Sequence, residues 1–93
     1  MLRITVISDT ISNVTLRLEG RVVSEWGSLL CEMIHHYRAE RQKIILDLTD
    51  VSYIDEASTA AIRVCSGKNV EIVNYSPFVG SLLRGESNER NLR

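Results

Sequence analysis

Two carboxylates, two hydroxyls and a run of small side chains stand together in YIDEASTAA, residues 53–61. Asp55 and Glu56 beside Ser58 and Thr59 could serve as a nucleophile with its base, as an acid–base pair, or as a place where a hydroxyl accepts phosphate. Nucleophilic catalysis at Ser58 requires a base within reach, and the side chains near it in sequence are acidic, so the histidine of a hydrolase is not supplied. His35 and His36 are neighbours on a helix-like segment, where successive side chains diverge, and they read as solvated surface. The chain has no GxxxxGK[ST], GxGxxG or GxSxG, and so neither a phosphate-cradling loop nor a nucleophile elbow. These residues give no catalytic group, no metal site and no cofactor site. Binding remains, with modification of a hydroxyl as its natural control.

The elements that must hold this corner follow from the apolar spacing. LRITVIS puts Leu2, Ile4 and Val6 on one face and NVTLRLEG does the same with Val14, Leu16 and Leu18, two half-buried strands joined by the polar turn DTISN. Gly20 breaks the second strand. Ser24 is placed to cap a helix whose inner stripe is Trp26, Leu29, Leu30, Met33, Ile34 and Tyr37, with Glu32, His35, His36 and Arg38 outside. KIILDL is an unbroken apolar run, the pattern of a central strand covered on both faces, and VSYID then leaves the sheet. Ala57, Ala60, Ala61, Val64 and Cys65 recur at helical spacing before Gly67 stops the helix. VEIVNY is a further strand. SPFVGSLLRG is a helix with Ser76 as cap, Pro77 in its first turn, Gly85 at its stop and Phe78, Val79, Leu82 and Leu83 as its buried stripe. The order is strand, strand, helix, strand, helix, strand, helix. It predicts an α/β fold, a mixed sheet of about four strands packed against about three helices, as one domain over residues 1–85 with a polar tail at 86–93.

Composition narrows the function. A chain of 93 residues, 44% apolar and 25% charged, suits one small globular core. Eleven Lys and Arg against twelve Asp and Glu leave a formal charge of −1, too little positive field to hold a phosphate backbone, so nucleic acid is not an expected direct partner. No apolar stretch approaches the roughly 20 residues that cross a bilayer. MLRITVISDT alternates where an export signal would have a basic patch and a long apolar run. Cys31 and Cys65, without CxxC spacing, read as reduced core thiols, and the expected location is cytoplasmic.

At the corner itself Asp55 is expected to cap the second helix, whose free amides and positive dipole end would accommodate a phosphate. A helical wheel turns Ala57 and Ala60 inward, Thr59 and Arg63 outward, and Ser58 between, with Ile62 flanking the buried stripe.

ILDLTDVSYIDEASTAAI resembles the central motif of STAS domains, the fold of anti-sigma factor antagonists that is also appended to sulphate transporters. LRLEGRVV upstream and VEIVNYSPFVGSLLRG downstream extend the likeness to Gly85. The resemblance implies a single-domain STAS-like fold and a regulatory module, not an enzyme, that binds a kinase-type anti-sigma factor or a related sensor kinase-like protein. In the family, phosphorylation of a serine at the start of the second helix turns binding off. That serine normally stands two places after the aspartate matched by Asp55, where this chain has Ala57; Ser58 occupies the position usually filled by glycine, and Val23 one where many antagonists have aspartate. The implied partner surface is Asp55, Glu56, Ala57, Ser58, Thr59, Ile62 and Arg63, with Ile62 exposed beside Ala57, Ser58 and Thr59 as the remaining candidate phosphoacceptors, and the usual phospho-switch missing. A structural or self-associating STAS-like module, such as a homodimer formed through the second helix, is the alternative.

Overall fold

The structure, a computed structural model, describes residues 2–23, 25–39, 43–65 and 69–85. The elements run β1 (Leu2–Asp9), β2 (Asn13–Val22), α1 (Glu25–Ala39), β3 (Lys43–Ile54), α2 (Glu56–Cys65), β4 (Val70–Val73) and α3 (Pro77–Arg84). This is the expected α/β arrangement of a four-stranded mixed sheet and three helices. The sheet order is β1-β2-β3-β4, antiparallel between β1 and β2 and parallel across the other two pairs. The expected cap at Ser24, the stop at Gly67 and the tail at 86–93 lie outside the described residues.

Alternation dictates the core. Val14, Leu16 and Leu18 of β2 stand in register with the same face of β3, where Ile44, Leu46 and Leu48 are buried. Leu30 and Ile34 of α1, Ile62 of α2 and Val79 of α3 close over them as one cluster. Each such side chain is worth about 1.5–3 kcal/mol when fully buried. A central strand covered on both faces is therefore not what forms. Ile45 and Asp47 turn to the opposite face with Arg17 and are only half-buried, so the apolar run KIILDL came from one outward isoleucine beside Thr15 and Glu71. β3 is also longer than KIILDL implies. VSYI stays in the sheet because Val51 pairs with Gly20 and Ile54 with Val22, past irregularities in the ladder.

Turn chemistry is as the residues suggest. Thr10 Oγ1 donates to the Asn13 carbonyl at 3.1 Å and accepts from Asn13 N at 3.0 Å, closing the β1–β2 hairpin. Ser76 Oγ accepts from Val79 N at 3.1 Å to cap α3, Pro77 opens the helix, and Gly85 ends it in the left-handed conformation at φ 72°. Side-chain stripes are less regular. Leu29 of α1 faces out and Gly27 and Cys31 face in, while Phe78 of α3 is 56% exposed and stacks at 6.5 Å on Tyr53 instead of entering the core.

The open face of the sheet is tied by polar groups. Arg17 donates to Asp50, which raises the guanidinium pKa further. Asp47 accepts from the Thr49 hydroxyl at 2.6 Å and from Thr49 N at 3.0 Å. The Thr49 hydroxyl bond is the main cause, followed by the Thr49 amide and the Asn74 side chain, that holds this carboxyl below its ordinary 3.8. A carboxyl whose folded pKa is lowered stabilises the fold above its unfolded pKa, and that contribution is lost as pH falls through the folded value. Thr49→Val should thus melt at a lower temperature than the unmodified chain at neutral pH. Its thermal unfolding curve should converge with the parent's once the pH falls below the lowered folded pKa of Asp47.

Candidate functional site

The corner is built where the ends of two strands meet the start of α2. Asp55 N donates to the Val22 carbonyl at 3.1 Å, fastening the turn after β3 to the end of β2. Asp55 Oδ1 accepts from Ser58 N at 2.8 Å, and its carbonyl accepts the first helical bond from Thr59 N at 2.9 Å. Asp55 is therefore the N-cap that its position suggests, satisfying one of the free amides of the first turn. The knuckle is fixed at both the strand and the helix.

The helix is turned differently from the expected wheel. Its inward face is Ser58, Thr59, Ile62 and Cys65, whereas Ala57 and Ala60 are exposed, Ala61 is half-buried and Val64 is 84% exposed. Arg63 faces outward as expected, and Thr59 and Ile62 do not. Ser58, expected between the faces, is 1% exposed, and Thr59 is 7% exposed. The cause is the close passage of α1. Gly27 has no side chain, and a Cβ there would lie 2.5 Å from Ser58 Oγ, so small hydroxyl residues fill a space that alanine was expected to fill. Neither Ser58 Oγ nor Thr59 Oγ1 finds a hydrogen-bond partner, an unfavourable burial of about 1–3 kcal/mol each. Both hydroxyls named as phosphoacceptors thus lie on the buried side. The outward surface consists of Glu56, Ala57, Ala60, Arg63 and Val64 beside the half-buried cap.

Ile62 was the signal that could have oriented the helix. As the one large aliphatic residue other than Val64, it puts Ser58, Thr59 and Cys65 on its own face by spacings of three and four. Nothing in the spacing marked Gly27, which lets the helices approach.

Cys31 and Cys65 are not free thiols but are joined in a disulfide between α1 and α2, with Cα atoms 5.9 Å apart. The expected reduced thiols are thereby overturned: Cys31 lay outside the stripe read for α1, and a pairing across 34 residues without a CxxC left no signal in the spacing.

Between the knuckle and α3 lies a groove of about 270 Å³ lined by Tyr53, Ile54, Glu56, Thr59, Arg63, Leu82 and Gly85. Arg63 Nη2 donates to the Leu83 carbonyl at 2.6 Å, tying α2 to α3 across the groove. Arg21 sits over the Tyr53 ring at 5.4 Å, and Phe78 stacks on the same ring at 6.5 Å. No group of three or more His, Cys, Asp or Glu among the described residues is placed to hold a metal ion. Among them, too, no helix is long and apolar enough to cross a membrane.

No family model matches the chain, and a comparison with curated protein sequences gives no match. Among the solved structures that match is the anti-sigma factor antagonist SpoIIAA in its unphosphorylated form. The two share 15% sequence identity with a TM-score of 0.66, over 94% of this chain and 81% of that one. The chain has the anti-sigma factor antagonist fold. At this identity the likeness is one of backbone fold alone.

Proposed function

We propose that the chain is a regulatory binding module that docks a kinase-type anti-sigma factor, or a related signalling protein, through the outward side of Asp55–Arg63 without turnover. The observation that carries this reading is the exposed Ala57 at the start of a helix whose entry is fixed by the Asp55 cap. A rigid, small-residue surface of this kind lets a partner approach the helix backbone closely. The fold shared with SpoIIAA supports the same reading, and the cytoplasmic location belongs to it. The usual phospho-switch is absent in this proposal. Ala57 has no hydroxyl, modification of Ser58 would require α2 to come away from α1, and Thr59 is buried on the side of α2 that lines the groove toward α3.

Titration calorimetry of the chain against the serine-kinase-type anti-sigma factors of its own cell is the direct test. One of them should bind with a Kd of about 1 μM or tighter, and Ala57→Arg should weaken binding at least about tenfold, about 1.4 kcal/mol, with the unfolding temperature unchanged. Absence of binding to all of them sinks the proposal. Val64, 84% exposed on the same helix, also suits contact between two copies. Sedimentation showing a stable dimer that Val64→Glu dissociates would select that second reading.

A further inference from the structure

The cysteine pair has no part in the docking reading, yet it holds the helix that docking uses. Cys31 and Cys65 join α1 to α2, and each is 8% exposed. Beyond the Asp55 cap at its start and the Arg63 bond to the Leu83 carbonyl of α3, the inner face of α2 offers little to hold it. Of its four inward residues, Ile62 is the only large aliphatic one, and the Ser58 and Thr59 hydroxyls are buried without partners. Among the described residues a further tie to α1 ends beside the bridge: Arg38 Nη1 donates to the Cys65 carbonyl at 2.7 Å. Loss of the bridge would leave a helix with a polar inner face and one apolar anchor, the composition expected of a segment that opens locally.

We propose that Cys31 and Cys65 form a reversible thiol–disulfide site that sets how firmly α2 is held, and so how well the knuckle is presented; its regulatory meaning rests on the docking reading above. The oxidant is a small disulfide of the glutathione class, R–S–S–R. The thiolate of one cysteine attacks it, forming a protein–S–S–R bond and releasing R–S⁻. The second cysteine's thiolate then displaces the other R–S⁻ and closes the Cys31–Cys65 bond. The two thiol protons end on two R–SH, and the two electrons given up by the protein reduce the small disulfide. In a reducing cytoplasm such a bond is transient and sensing, whereas in an oxidising compartment it persists.

The test uses the full chain and glutathione alone, with no partner present. After equilibration with oxidised or reduced glutathione, thiols are counted by alkylation and mass spectrometry, and amide hydrogen exchange is followed over Glu56–Cys65. Oxidation should remove both thiols and slow exchange in α2 at least about tenfold relative to the reduced chain, with β2 and β3 unchanged and the effect reversed on reduction. The double substitution Cys31→Ser with Cys65→Ser should match the reduced chain and ignore glutathione. Should that variant fail to fold, the reversible cycle on the unmodified chain decides the question alone. Equal exchange in the two forms, or thiols that survive oxidised glutathione, would overturn the proposal. A failure to find a docking partner would leave these readings untouched, so the two proposals can fail separately.

Discussion

Gly27→Ala is expected to destabilise the fold by about 1–3 kcal/mol, the usual range for overpacking a filled site. The added Cβ would lie 2.5 Å from Ser58 Oγ, 2.8 Å from its Cβ and 3.0 Å from its Cα. A rotamer change can move Oγ but neither of the other two atoms, so α1 and α2 must separate. The gain of about 0.5–1 kcal/mol that alanine brings over glycine inside a helix is too small to offset this. The same distances grade the rescue. Combined with Gly27→Ala, Ser58→Ala still leaves Cβ in the way and should restore little, whereas Ser58→Gly leaves only the backbone carbon at 3.0 Å and should restore most of the loss. Thermal unfolding of the single and double variants forms a cycle whose coupling energy should reach at least about 1 kcal/mol. Strictly additive effects would mean that the helices do not cross at these residues.

This crossing also shows where sequence reasoning reached its limit. β2 was legible because Val14, Leu16 and Leu18 alternate with polar residues and a one-residue slip would expose all three. α3 was legible through Ser76, Pro77 and Gly85, each with its own local backbone requirement. The cap at Asp55 belongs to the same class of signal. Residues whose role depends on a distant segment gave no such signal. Alanine, serine and threonine differ little in size, so the choice between Ala57 and Ser58 as the inward residue was made by Gly27, 31 places earlier than Ser58 and on another helix. The length of β3 was set likewise by what β2 offered as a pairing edge, from Glu19 to Val22. The family likeness pointed to a segment but could not orient it, since a motif records residue types and not which of them a neighbouring helix covers.

That orientation gives the second large effect. Ala57→Ser should turn a chain that takes up no phosphate from a serine-kinase-type anti-sigma factor into one that takes up about one per molecule, and phosphorylation should weaken docking at least about 100-fold, about 2.7 kcal/mol. The introduced hydroxyl would be exposed in the first turn of α2, where helix amides and the dipole favour an anion. Ser58, one residue on, is turned about 100° around the axis and lies against Gly27. A phosphate at the outward position adds about −1.5 to −2 charges beside Asp55 and Glu56, so the helix gains an anion it can hold while the partner meets a surface it was not shaped for. Intact-mass measurement after incubation with kinase and ATP reads the first effect, and calorimetry with the phosphorylated chain reads the second. Equal phosphate uptake by the unmodified chain, mapped to Ser58 or Thr59, would mean that the inner face of α2 opens to the kinase. Docking would then be controlled by release of the helix from the elements packed on its inner side and not by charge placed on its outer side.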